Sequence, residues 1–231
     1  NMIAPIERVP TWAAPEGDRS PIKTENVDDF VEFMVALVER YDGDGTGDAS
    51  SGIVVKYWEI FNEPDYGTTN LDTGYGDYGA RYAQLLQAIY GPIKAADPDA
   101  QVVFGGIAYN QFINKEQGTG SFVREFLQNV LEAGGGDYFD YMNFHYYPFP
   151  HNRTVWTQTN ATGLIEKYES VKEIMEANNV DKPFLLTEIG WHSDDDLVDR
   201  PSTPEFQARR VVELFAQSMS IGSKITIWWT F

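Results

Sequence analysis

The sequence predicts an α/β fold, a parallel sheet assembled from repeated βα units. Three observations carry this prediction. Short β-rich apolar runs alternate with longer stretches of helical period. A glutamate closes two of those runs, Glu63 after Trp58-Glu59-Ile60-Phe61-Asn62 and Glu188 after Phe184-Leu185-Leu186-Thr187. The strand-to-helix connections are long, at 65–76, 109–120, 147–160 and 191–202, and long loops on one face of such a sheet are where a site is built.

In chain order the predicted strands lie at 3–9, 54–61, 101–105, 141–146, 184–187 and 224–229. The run through Val54, Val55, Tyr57, Trp58, Ile60 and Phe61 is nearly continuously apolar, as a strand buried on both faces requires. Val27, Phe30, Val31, Met34, Leu37, Val38 and Tyr41 form the clearest helical stripe. Further helices are predicted at about 78–95, 121–133, 161–177 and 204–220. Thr203-Pro204-Glu205 marks the start of the last one with a capping hydroxyl, a proline at the first helical position and an early acid.

Composition narrows the function classes. At 231 residues, 42% hydrophobic and 14% aromatic, the chain suffices for one sizeable core and is too polar for a membrane protein. With 35 acidic against 17 basic residues its charge is −18, which opposes nucleic acid and anionic membranes and suits a neutral partner such as a carbohydrate. There is no cysteine, hence no disulfide or thiolate metal site, and this leaves the compartment open. Asn1-Met2-Ile3-Ala4 is no signal sequence. A secreted or extracellular location is expected, the leader having gone with a missing amino-terminal part.

The segments Trp58 to Pro64, containing Asn62-Glu63-Pro64, and Thr187-Glu188-Ile189-Gly190-Trp191 resemble the fourth and seventh strands of the clan A glycoside hydrolases, which are (β/α)8 barrels. Val9-Pro10-Thr11-Trp12 resembles the end of a third strand, Asn143-Phe144-His145-Tyr146-Tyr147 a sixth, and Ile227-Trp228-Trp229-Thr230-Phe231 an eighth. The resemblance spans nearly the whole chain and is strongest to family 39, which includes β-xylosidases, with family 5 next. It implies a TIM barrel present here as strands three to eight. Residues 1–231 would then be one catalytic domain, a fragment lacking strands one and two and the last helix. An open six-strand barrel exposes two sheet edges, so such a fragment alone is expected to be marginal or inactive.

Breaking a glycosidic bond takes a proton for the leaving oxygen and a carboxylate on the other face of the sugar. The resemblance makes Glu63 the acid/base and Glu188 the nucleophile of a retaining hydrolase that forms a covalent glycosyl-enzyme intermediate on a plant-type glycan. It also implies that Asn62 hydrogen-bonds a sugar hydroxyl. Period two puts His145 and Tyr147 on one face, and the resemblance implies roles there, histidine orienting the acid/base and tyrosine holding the nucleophile ionised. A bulge would exchange Tyr147 for Tyr146. Trp229 is expected to floor the subsite beside the cleaved bond while Trp228 packs under the helices, and Trp12 and Trp191 are expected to build further subsites. No cofactor or metal is expected. The loop Asp42-Gly43-Asp44-Gly45-Thr46-Gly47-Asp48 carries a glycine at the sixth position of a calcium loop but Ile53 where the twelfth-position acid belongs, and it reads as a solvated connection. His145, His151 and His192 are not at helical ligand spacing. Two other functions stay open: an endo-acting glucanase, xylanase or galactanase, and a non-catalytic glycan-binding barrel.

Overall fold

The computed structural model of the chain describes residues 2–14, 17, 19–67, 74–112, 121–148, 163–194 and 202–229. Six strands appear in order, β1 (Ile3–Ile6), β2 (Tyr57–Ile60), β3 (Gln101–Phe104), β4 (Met142–Tyr146), β5 (Phe184–Ile189) and β6 (Thr226–Trp228). Between them run the helices α1 (Val27–Tyr41), α2 (Gly79–Ala96), α3 (Phe126–Glu132), α4 (Leu164–Ala177) and α5 (Pro204–Ser220).

The strands pair in sequence order and all are parallel. Ile3 lies opposite Tyr57, Tyr57 opposite Gln101, and Met142 opposite Phe184. Isolated parallel bridges Val103–Tyr141 and Ile107–Phe144 join β3 to β4. One helix lies between each pair of successive parallel strands, the arrangement of a (β/α)8 barrel. The barrel is incomplete: among the described residues β1 and β6 are each paired on one side only.

Helix α1 buries Phe30, Met34 and Val38, three of the seven residues of the predicted stripe. At α5, Thr203 accepts the Phe206 N–H at 3.2 Å, the expected cap. Helix α3 begins later than predicted. Its lead residues are drawn elsewhere: Phe122 bridges Tyr66, and the Val123 N–H donates to the Asp65 carbonyl at 2.8 Å. The sheet's core is aromatic, with Tyr82 edge-on to Phe104 at 5.1 Å and Phe104 edge-on to Phe139 at 5.1 Å. Tyr82 also ties two strand ends together. Its hydroxyl donates to the Ile60 carbonyl at 2.6 Å and accepts the Gly105 N–H at 3.0 Å. Among the described residues no helix is long and apolar enough to cross a membrane.

Candidate active site

Past Ile60 the backbone enters the left-handed region twice, at Phe61 (φ 64°) and at Glu63 (φ 49°). Non-glycine residues rarely do so, and each instance costs on the order of 1–3 kcal/mol. Packing holds the first of them: the Phe61 ring stacks on Phe30 at 5.9 Å and leans on Tyr75 at 5.4 Å. The turn brings Glu63 over the end of β4, where its Oε1 lies 3.1 Å from His145 Nδ1.

Glu188 reaches the same point from β5. His145 Nδ1 is 3.5 Å from Glu188 Oε2, and the Tyr147 hydroxyl donates to that oxygen at 2.6 Å. One oxygen each of Glu63 and Glu188, with a nitrogen of His145, lie within 4.8 Å of one another. The carboxylates keep some solvent access, with side chains 20% and 17% exposed, whereas the imidazole beneath them is 1% exposed.

Below the imidazole lies a third carboxylate that sequence reasoning missed. Glu59, buried on β2, accepts from Gly106 N at 3.0 Å, Asn143 Nδ2 at 2.9 Å and Thr187 Oγ1 at 3.2 Å. Its Oε1 is 3.8 Å from His145 Nε2. Thr187 Oγ1 stands between them, 3.1 Å from Nε2. Since the threonine hydrogen goes to Glu59, Nε2 must supply the hydrogen of its own bond, and Nδ1 faces carboxylates. Where those carboxylates are ionised both nitrogens donate, which is the imidazolium. The titration shift agrees. Burial works against the charge on His145, but the hydrogen bonds to Glu59 and Glu63 and the charges of Glu59 and Glu188 overcome it and raise its pKa to about 9.

The same field acts on the neighbours. Burial raises the Glu188 pKa, with the His145 charge and the Tyr147 hydrogen bond pulling it back and the charges of Glu63 and Glu59 adding to the rise. Burial, reinforced by the bond to Glu188, holds the Tyr147 hydroxyl far above the usual tyrosine range, so it remains a donor.

Two glycines make room for this arrangement. A Cβ on Gly106 would come within 2.1 Å of His145 Nε2, and one on Gly190 within 2.9 Å of Tyr147 Cε1. Only hydrogen fits at either place.

The other expected residues are distributed as follows. Asn62 is half-buried next to Glu63. Trp229 is 46% exposed just past β6, and its N–H donates to the Ile189 carbonyl at 2.8 Å. Trp228 stacks on Phe215 of α5 at 6.5 Å. Trp12 is 59% exposed and lines an apolar hollow of about 290 Å³ with Val9, Phe30 and Phe33, whose lining includes none of Glu63, His145 and Glu188. Trp191 is buried: His192 and Phe206 pack on it, the Arg210 guanidinium lies 5.7 Å from its ring centre, and its Nε1 donates to Ser202. It is packed against α5 and is not presented as an open platform. His151, Thr230 and Phe231 lie outside the described residues.

In the acidic loop, oxygens of Asp42, Asp44 and Asp48 come within 4.8 Å of one another. They accept loop N–H groups, those of Gly43 and Gly45 going to Asp48, that of Asp44 to Asp42 and that of Thr46 to Asp44. The carboxylates thus cap the turn that joins α1 to the strand region.

The fold has solved counterparts. A family 39 glycoside hydrolase from the gut symbiont Bacteroides cellulosilyticus WH2 matches 99% of this chain and 43% of its own, at 20% identity and a TM-score of 0.64. The fold is that of the (β/α)8 glycoside hydrolases. A family 39 β-xylosidase from Caulobacter crescentus matches 93% of this chain and 40% of its own, at 22% identity and a TM-score of 0.55. An endo-laminarinase from Formosa matches 97% and 58%, at 14% identity and a TM-score of 0.60. The chain spans about two fifths of the length of these family 39 structures. No protein-family model matches the sequence, and no curated protein matches it.

Proposed function

We propose that this chain carries the active site of a retaining glycoside hydrolase acting on a β-linked plant-type glycan or glycoside, with β-xylosides as the first substrates to try. One observation carries the reading: Glu63 and Glu188 bring carboxylate oxygens within 4.8 Å of each other over a shared imidazolium. Retaining enzymes hold their carboxyl groups about 5–5.5 Å apart, and inverting ones need about 6.5–9.5 Å to seat a water. Nearest oxygens within 4.8 Å are compatible with direct attack.

Glu188 is the nucleophile. Tyr147 and the positive His145 work against the rise that burial imposes on it, and so favour its ionised form. Glu63 is the acid/base, its Oε1 held by His145 Nδ1. It protonates the leaving oxygen as Glu188 attacks the anomeric carbon, then takes a proton from the water that releases the sugar. Asn62 and Trp229, next to Glu63 and just past β6, are assigned to the sugar. Glu59 stays out of the bond-making and holds the charge on His145.

Trapping tests the proposal. A fluorinated aryl β-xyloside, whose covalent intermediate hydrolyses slowly, should leave one sugar attached to the protein, and peptide mass spectrometry should locate it on Glu188. An adduct on another residue would refute the role assignment. In the intact protein, complete absence of any adduct or turnover across xyloside, glucoside, galactoside and arabinofuranoside reagents would refute the glycosidase reading.

A further inference from the structure

Two buried charges take no part in the bond-making described above. Lys167, on the inner face of α4, is 0% exposed, and Asp65, two residues past Glu63, is 1% exposed. Burying a charge is costly unless it is paired and fully hydrogen-bonded, so each needs a reason to be there.

Lys167 Nζ donates to three acceptors: the carbonyl of Ile107 at 3.0 Å, the carbonyl of His145 at 2.8 Å and Oδ1 of Asn110 at 2.8 Å. A neutral amine has two hydrogens, so three acceptors call for the ammonium. The Ile107 carbonyl also accepts the His145 N–H at 3.0 Å, and Asn110 Nδ2 donates onward to the Tyr147 carbonyl at 3.3 Å. One ammonium thus grips the backbone of His145 directly and that of Tyr147 through Asn110.

Asp65 straps the other side. Its carboxylate accepts Ala108 N at 3.1 and 3.0 Å and Tyr109 N at 2.8 Å, which ties the loop carrying Glu63 to the segment that Lys167 holds. Glu63 sits in that loop at φ 49°, and such a conformation lasts only where the surroundings over-determine it. Burial pushes the Lys167 ammonium down and the Asp65 carboxyl up, and the charge of each draws the other back.

We propose that Lys167, acting with Asp65, is a positioning residue that sets the relative placement of Glu63, His145 and Tyr147 through their backbones. The inference rests on the glycosidase reading for its kinetic consequences, though not for its structural ones. An apolar side chain would fill much of the same space while leaving three acceptors without this donor, so some loss of stability is expected. What it would not do is hold three loops in register.

The test uses Lys167→Met and the double variant Lys167→Met/Asp65→Asn, the second removing both charges so that neither is left unpaired. The imidazoles belong to three histidines, so the His145 titration can be followed by NMR. The titratable groups facing it are Glu59 on β2, Glu63 beyond β2 and Glu188 on β5. Loosening its contact with Glu63 should move the His145 titration down in both variants. Loss of a nearby positive charge alone would move it up in Lys167→Met, so the sign separates positioning from simple electrostatics. On a nitrophenyl β-xyloside, kcat in the double variant should fall about a hundredfold, the scale of an ångström-sized misplacement, with KM little changed.

The chain has no cysteine, so Lys167→Cys provides a unique thiol that bromoethylamine converts, with loss of bromide, into a near-isostere of lysine. That product, after refolding, should recover both readouts. A folded double variant with wild-type kcat and His145 titration would overturn the proposal, and so would failure of the aminoethylated protein to recover. If the intact protein turns over no glycoside, the glycosidase reading fails, and the NMR titration still decides the positioning role by itself.

Discussion

The Tyr147 hydroxyl donates to Glu188 Oε2 at 2.6 Å, from a chain position two past the His145 whose Nδ1 faces the same oxygen at 3.5 Å. Burial raises the Glu188 pKa, and this phenol is one of the groups that offset the rise. Tyr147→Phe should therefore shift the acidic limb of the kcat/KM profile to higher pH. A hydrogen bond to a charged group contributes about 1.5–3 kcal/mol, so kcat at the optimum should fall roughly ten- to a hundredfold. An unmoved acidic limb would show that the hydroxyl does not tune Glu188.

Glu188→Gln separates an enzyme from a glycan-binding barrel. The amide keeps the shape and the acceptor facing Tyr147 but cannot attack. Turnover should drop by at least about 10³-fold, as for removal of a nucleophile, while xylo-oligosaccharide binding measured calorimetrically persists. Wild-type protein that binds those sugars without turnover, and a variant identical to it, would favour the binder.

Residues at strand ends were the legible part of this site. A glutamate that interrupts an apolar run announces itself, and period two paired His145 with Tyr147. The register shift between β4 and β5 falls between Asn143 and His145, before that pair, so the pairing survived. Glu59 stood in the same run as Glu63 and carried an equal signal, a charge inside a buried strand. Its meaning was hidden because its partners Asn143 and Thr187 lie 84 and 128 residues away. Gly106 and Lys167 were opaque for the same reason, since only the assembled sheet shows what each one touches. Trp191 illustrates the opposite difficulty. A strand-end tryptophan looks like a sugar platform until α5 supplies Phe206 and Arg210 to pack on it.

Gly106→Ala should injure the site without unfolding the protein. The added methyl would need the space of His145 Nε2, 2.1 Å away, so the ring must leave Thr187 and lose its bond to Glu63. A hundredfold loss of kcat is the expected order for such a displacement. Gly91→Ala is the control. It lies in α2 with nothing within 4 Å of its Cβ, so it should leave kcat alone and stabilise the fold by about 0.5–1 kcal/mol. Equal kcat in the two variants would refute the steric argument.

The charge on His145 also makes a prediction about folding. Burial opposes that charge, and the hydrogen bonds and charges of Glu59, Glu63 and Glu188 prevail, so the folded-state pKa is about 9. The unfolded chain returns the imidazole to about 6.5. A group raised on folding stabilises fully below its unfolded pKa and loses that contribution as pH rises through the folded one. The window is therefore pH 6.5 to 9, and the contribution at its lower edge is on the order of 3 kcal/mol. Urea melts at pH 6 and pH 10 should differ by that order in the wild type, and by much less in His145→Gln. Glu59→Gln should narrow the window from the top by lowering the folded pKa, because the amide keeps the hydrogen-bond acceptor and gives up the charge. A wild type and a His145→Gln variant with parallel stability profiles would mean that the histidine is neutral in the fold, and the imidazolium assignment would have to be abandoned.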